Sequence, residues 1–244
     1  MLPIDRSHLY DGGEIAALEC VGERVVIPGP EGDLEGLTAC PEKETRGTVA
    51  VILHPHPLYG GTLHNKVVHY LSRTCNRLGI PSLRFNFRGV GESAGHYDDG
   101  RGETEDCLAV LDWVQQRRPG FDIWLAGFSF GAYVAYRAVH QRPQISRLLT
   151  VAPPVNLFDF HGLPPPACPW TLIQGEKDEL VPVASVKHWL TLLNVQPRTI
   201  LLPADHFFHG QLNTLQTALL ESLEDEVANM AYTGISPCAE SHLS

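Results

Sequence analysis

The chain has 244 residues, 43% of them hydrophobic and 19% charged, and a formal net charge of −10 at pH 7. One α/β domain of that length buries a sizeable core, while the acidic balance repels phosphate backbones and anionic lipid heads, arguing against nucleic acid and membrane partners. The sequence does not open with a basic segment followed by an apolar one, and no apolar run is long enough to span a bilayer, so a cytoplasmic protein acting on a small molecule is expected.

Residues 1 to 19 show no clear period and read as an N-terminal extension, with a turn signal at Asp11-Gly12-Gly13. The folded domain is expected over 20–228. It begins with two β-rich runs, Arg24 to Ile27 and Leu34 to Ala39, separated by a segment dense in Gly and Pro. They predict an antiparallel hairpin at a sheet edge. Thr48 to Leu53 is apolar without alternation, the pattern of a strand covered on both faces.

Strands and helices then alternate. A helix is predicted near 65–78, a strand over Ser82 to Phe87 and a helix near 102–118, whose apolar stripe runs through Cys107, Leu108, Val110, Leu111 and Val114. Glu103, Glu105 and Asp106 at its start and Arg117-Arg118 at its end suit the helix dipole, so the acidic run reads as helix-end electrostatics rather than a ligand site. Ile123 to Ala126 predicts a strand, residues from Ala132 a helix, and Arg147 to Ala152 a strand. A proline-rich connection from Pro153 to Pro169 follows, long enough to reach over a site but too short for a lid domain. Strands at Trp170 to Gln174 and Thr199 to Leu202, a helix from Pro182 to Leu193 and one from Gly210 to Ala228 complete the domain. The order implies a doubly wound, mostly parallel sheet, and residues 229–244 read as a disordered tail. The six cysteines, Cys20, Cys40, Cys75, Cys107, Cys168 and Cys238, lack metal-type or C-x-x-C spacing and are expected as reduced thiols, with Cys75 and Cys107 in the core.

Gly127-Phe128-Ser129-Phe130-Gly131 lies between a strand and a helix. In that context G-x-S-x-G is a nucleophile elbow, where small neighbours permit the strained angle that exposes the serine. Gly91-Glu92-Ser93-Ala94-Gly95 has the same spelling, but Ser93 lies past the end of its strand in a polar loop with no helix following, so Ser129 is the expected nucleophile. A serine hydroxyl needs a general base and a third group to orient that base. Asp178 and His206 follow strand ends, where an α/β sheet places such groups. Rivals remain for each: His209 for His206, and Glu176, Glu179 or Asp205 for Asp178.

These three motifs, in the chain order nucleophile, acid, histidine, resemble the α/β-hydrolase superfamily over residues 20–228. His54-Pro55-His56-Pro57-Leu58-Tyr59-Gly60-Gly61-Thr62, Phe85 to Ser93 and Ala204 to Gly210 look like small, lid-poor bacterial hydrolases compared with the C-terminal domain of X-Pro dipeptidyl peptidases. The resemblance implies a triad of Ser129, Asp178 and His206. An oxyanion hole would then use the amide of Phe130 and one from the 54–59 loop. Neither proline there has an N–H, so His56 is the expected donor, with Leu58 or Tyr59 as alternatives.

A metal centre at His54, His56, His64 and His69 lacks a carboxylate or thiol to complete it, and Gly89-Val90-Gly91 does not complete a dinucleotide fingerprint. No cofactor or metal is expected. The resulting expectation is a serine hydrolase acting on a small soluble ester or thioester through an acyl-enzyme. A peptidase or amidase, an acyltransferase on the same triad, and a non-catalytic binding protein are the alternatives. The residues leave oligomeric state open.

Overall fold

The computed structural model describes residues 22–44 and 47–233. The N-terminal extension expected over 1–19 and the tail beyond Thr233 lie outside the described residues. Among the described residues eight strands form one sheet: β1 (Arg24–Gly29), β2 (Gly32–Ala39), β3 (Thr48–Leu53), β4 (Ser82–Phe85), β5 (Asp122–Phe128), β6 (Ile145–Val151), β7 (Trp170–Gly175) and β8 (Arg198–Leu202). Their spatial order is β1-β2-β4-β3-β5-β6-β7-β8. The β1–β2 hairpin forms the antiparallel edge, β2 joins β4 antiparallel, and every pairing from β4 to β8 is parallel. Helices α1 (Lys66–Arg77), α2 (Arg101–Arg117), α3 (Phe130–Ala138), α4 (Val183–Leu193) and α5 (Leu212–Thr233) cover both faces. α5 runs past the boundary expected at Ala228.

The central strand explains why its sequence does not alternate. All six residues of β3 are buried: Val49, Val51 and Leu53 pack with residues of α2, α3 and α4, whereas Ala50 and Ile52 pack with residues of α1 and α5. Each large apolar side chain removed from water on either face contributes about 1.5–3 kcal/mol. From β3 the chain steps to β4 on one side and then returns to β5 on the other. Such a reversal opens a crevice at the carboxyl ends of the strands. The connection from β6 to β7 contains no helix or strand, so among the described residues no lid domain stands over that crevice.

Two readings of side chains change in the folded protein. Glu103 does serve the start of α2, accepting from the amides of Asp98 (2.9 Å) and Gly100 (2.8 Å). Asp106 does not: it is fully buried and takes the Arg88 guanidinium at 2.8 and 3.1 Å and the Arg88 amide at 2.9 Å. Glu31 of the hairpin turn adds a contact to the same guanidinium at 2.8 Å. Sequence proximity to a helix end suggested a dipole role, but an arginine in the turn after β4 claimed the carboxylate. Secondly, Cys40 is disulfide-bonded, contrary to the expectation of reduced thiols, because spacing along the chain carries no information about proximity in space. Cys75, Cys107 and Cys168 are free.

Candidate active site

Strand β5 delivers Ser129 to the crevice. Ser129 has φ 53° and ψ −119° and caps α3 without using its side chain for the cap, leaving the hydroxyl free for chemistry. Its amide is anchored to the Val151 carbonyl at 2.8 Å. The two glycines are steric necessities. A Cβ on Gly127 would sit 2.2 Å from the Gly131 carbonyl oxygen, and one on Gly131 would sit 2.5 Å from that of Leu53. The elbow therefore closes only because strand, turn and neighbouring β3 approach backbone to backbone.

Three sequence-predicted side chains meet here. Ser129 Oγ lies 3.0 Å from His206 Nε2, and His206 Nδ1 lies 2.8 Å from Asp178 Oδ2. His206 follows β8 and Asp178 follows β7, so three separate strand ends contribute. Asp178 is buried, and both its oxygens are satisfied. Oδ1 accepts the amides of Leu180 (3.0 Å) and Val181 (2.7 Å), while Oδ2 accepts Gln174 Nε2 (2.8 Å) besides His206. A carboxylate held by that many donors is fixed in orientation. It holds Nδ1 as the donor and leaves Nε2 lone-pair side toward the serine. Phe128 and Phe207 flank the imidazole, with ring centroids at 5.4 and 5.1 Å.

The rivals are engaged elsewhere. His209 Nδ1 pairs with Asp205 Oδ2 at 2.8 Å on the exposed surface, and Asp205 also accepts the amides of Phe207 and His209. Those bonds hold the Asp205 carboxyl below its ordinary range. Glu176 and Glu179 are exposed. Ser93 is a structural tie: its hydroxyl donates to the Asn86 carbonyl at 2.7 Å and accepts the Glu35 amide at 2.9 Å, joining the edge hairpin to the loop after β4.

The loop after β3 is organised by its histidines. His54 is fully buried; its Nδ1 donates to the Pro55 carbonyl at 2.6 Å and its Nε2 accepts the Phe87 amide at 3.1 Å. Burial pulls its pKa down from 6.5 to about 4, and only the neutral ring satisfies both bonds. His56 caps a 3-10 turn, Pro57–Tyr59, by accepting the Leu58 amide on Nδ1 at 3.2 Å. The Tyr59 amide donates to the His56 carbonyl at 3.2 Å. Both fallback donors are thus occupied within their own turn. Among the described residues no acceptor is bonded to the amides of His56 and Phe130, and the two side-chain rings lie 5.0 Å apart. No group of three or more His, Cys, Asp or Glu among the described residues is arranged to hold a metal ion.

Two contributors escaped the sequence reading. Gln174 is a buried polar residue one position before the end of β7, and a long amide in a fully buried strand was a usable signal. Tyr97, whose hydroxyl lies 3.0 Å from His56 Nε2, sits in a loop without periodicity and gave none.

Comparison with known proteins agrees with this architecture. Residues 47–166 match the family described as serine aminopeptidase, S33. An uncharacterized protein of Rickettsia prowazekii is 39% identical over 210 residues, covering 82% of this chain and 88% of its own length. A solved α/β serine hydrolase homologue from Coxiella burnetii superposes with a TM-score of 0.80 at 43% identity, covering 83% of this chain and 98% of that one. An α/β serine hydrolase without lid from Xanthomonas campestris does so with a TM-score of 0.78 at 37% identity, covering 88% and 96%. Fold, strand-end geometry and similarity over most of the chain together place this protein in the α/β-hydrolase superfamily.

Proposed function

We propose that this chain is a serine hydrolase that cleaves small esters or thioesters through an acyl-enzyme on Ser129. One observation carries the reading: the hydrogen-bonded line from Ser129 Oγ through His206 to Asp178, at 3.0 and 2.8 Å, with the serine raised on a positive-φ turn. In this reading Ser129 Oγ attacks the carbonyl carbon as His206 Nε2 takes its proton. The amides of Phe130 and His56 hold the oxyanion, at the positive end of α3. Collapse breaks the bond to the leaving alkoxide or thiolate, which receives the proton from His206. Water then attacks the acyl-enzyme with His206 as base and releases the acid.

The surroundings favour an apolar acyl or leaving group. Leu58 and Tyr59 beside His56, Leu180 beside Asp178, and Phe207 beside His206 are all exposed, an arrangement on site loops that suits contact with substrate rather than core packing. Without a lid domain these residues leave the serine open to soluble molecules.

A second reading, an amidase or peptidase on the same residues, is favoured by the serine aminopeptidase description of the matched family. It also fits the resemblance to X-Pro dipeptidyl peptidase C-terminal domains. Steady-state rates on p-nitrophenyl acetate and butyrate, acyl-thioesters and aminoacyl-p-nitroanilides, for wild type and Ser129→Ala, separate the two. The ester reading expects Ser129-dependent turnover of the esters and thioesters well above the anilides; the reverse ranking establishes the amide reading.

A further inference from the structure

The loop holding the His56 amide is braced from behind by a chain of side chains outside the triad. His56 Nδ1 is committed as an acceptor of the Leu58 amide at 3.2 Å. Burial lowers the pKa of this imidazole, so its one proton resides on Nε2, which faces the Tyr97 hydroxyl at 3.0 Å. Burial and the nearby Asp99 carboxylate raise the pKa of that phenol. The imidazole thus donates to the phenol oxygen, which leaves the phenol's own proton free to turn toward the carboxylate. The rings of Tyr97, Phe130 and Phe158 pack around His56, with centroids at 4.9, 5.0 and 5.9 Å.

The far end of this chain is held in a costly conformation. Asp99 has φ 48°, followed by Gly100 at φ 87°, and a non-glycine residue in that region persists only where its surroundings fix it. Here the buried Glu103 carboxylate fixes it, bonding the amides on both sides, Asp98 at 2.9 Å and Gly100 at 2.8 Å.

We propose that Tyr97 and Asp99 are positioning residues that fix the His56 tautomer and thereby hold the His56 amide where the oxyanion forms. This rests on the serine-hydrolase reading above. Because the amide is needed only once the carbonyl oxygen gains charge, loss of the brace lowers kcat and leaves KM unchanged.

The test compares wild type, Tyr97→Phe, Asp99→Asn, Asp99→Gly and Ser129→Ala on p-nitrophenyl butyrate, with inhibition by an alkylboronic acid as tetrahedral analogue. Tyr97→Phe keeps the ring, Asn keeps an acceptor and tolerates positive φ, and Gly removes the acceptor without strain. Tyr97→Phe and Asp99→Gly are expected to lower kcat about tenfold, part of the 10²- to 10³-fold that loss of an oxyanion donor costs. KM should stay within about twofold, boronate affinity should fall in parallel with kcat, and Asp99→Asn should recover most of the loss. Thermal unfolding checks that each variant is folded. If kcat and boronate affinity in folded Tyr97→Phe and Asp99→Gly stay within about twofold of wild type while Ser129→Ala is inactive, the brace is wrong and the hydrolase reading stands. If Ser129→Ala keeps full turnover, that reading fails and takes the brace with it.

Discussion

Acidification should weaken this protein through His54. The ring is fully buried, and both nitrogens are committed, one donating to Pro55 and one accepting from Phe87. A second proton would set N–H against N–H in a site without water access, and burial accordingly lowers its pKa from 6.5 to about 4. Since the folded value lies below the unfolded one, the unfolded chain alone binds the proton between those limits. The stability this group provides is therefore whole above pH 6.5 and is lost as pH falls toward 4. At 1.36 kcal/mol per unit, the loss is about 2 kcal/mol between pH 7.5 and 5 and about 3 kcal/mol by pH 4. The assay is urea unfolding followed by fluorescence of the four tryptophans, all buried, for wild type and His54→Gln. Glutamine offers Phe87 a neutral acceptor, so the variant is less stable at pH 7.5 but should lose about 2 kcal/mol less on going to pH 5. Equal losses in both proteins would refute the argument, because the histidine would then be taking its proton in the folded state.

Other substitutions address the site and its frame. In Asp178→Asn the amides of Leu180 and Val181 must still be accepted, so the new NH₂ faces His206 and forces the wrong tautomer toward Ser129. Ester turnover should fall by about a thousandfold or more with KM little changed, measured by steady-state kinetics. Asp106→Asn leaves the buried Arg88 guanidinium without its full counter-charge, and chemical denaturation should show a loss of about 3 kcal/mol with kcat unchanged in the protein that remains folded.

How much of this was legible follows from how local each signal is. The β3 run and the elbow declared themselves because a doubly covered strand and a strand-turn-helix crossing are written in adjacent residues. Asp178 and His206 were legible because the sheet collects strand ends, so a residue just past a strand has a known destination. What stayed hidden depends on partners far along the chain. Asp106 looks like a helix-start acid until Arg88, in the turn after β4, reaches it. Ser93 has the right spelling for a nucleophile, yet its hydroxyl is spent on Asn86 and Glu35. Tyr97 lies in a loop whose shape is set by Glu103, and no period or motif forecasts that placement. The Cys40 disulfide was missed for the same reason.

The most direct test of the central claim is covalent labelling by a fluorophosphonate, with the modified peptide located by mass spectrometry, on wild type, Ser129→Ala, Ser93→Ala and His206→Ala. The account predicts label on Ser129 that vanishes in Ser129→Ala, slows sharply in His206→Ala and persists in Ser93→Ala. Label on Ser93, or none on folded wild-type protein, would contradict it.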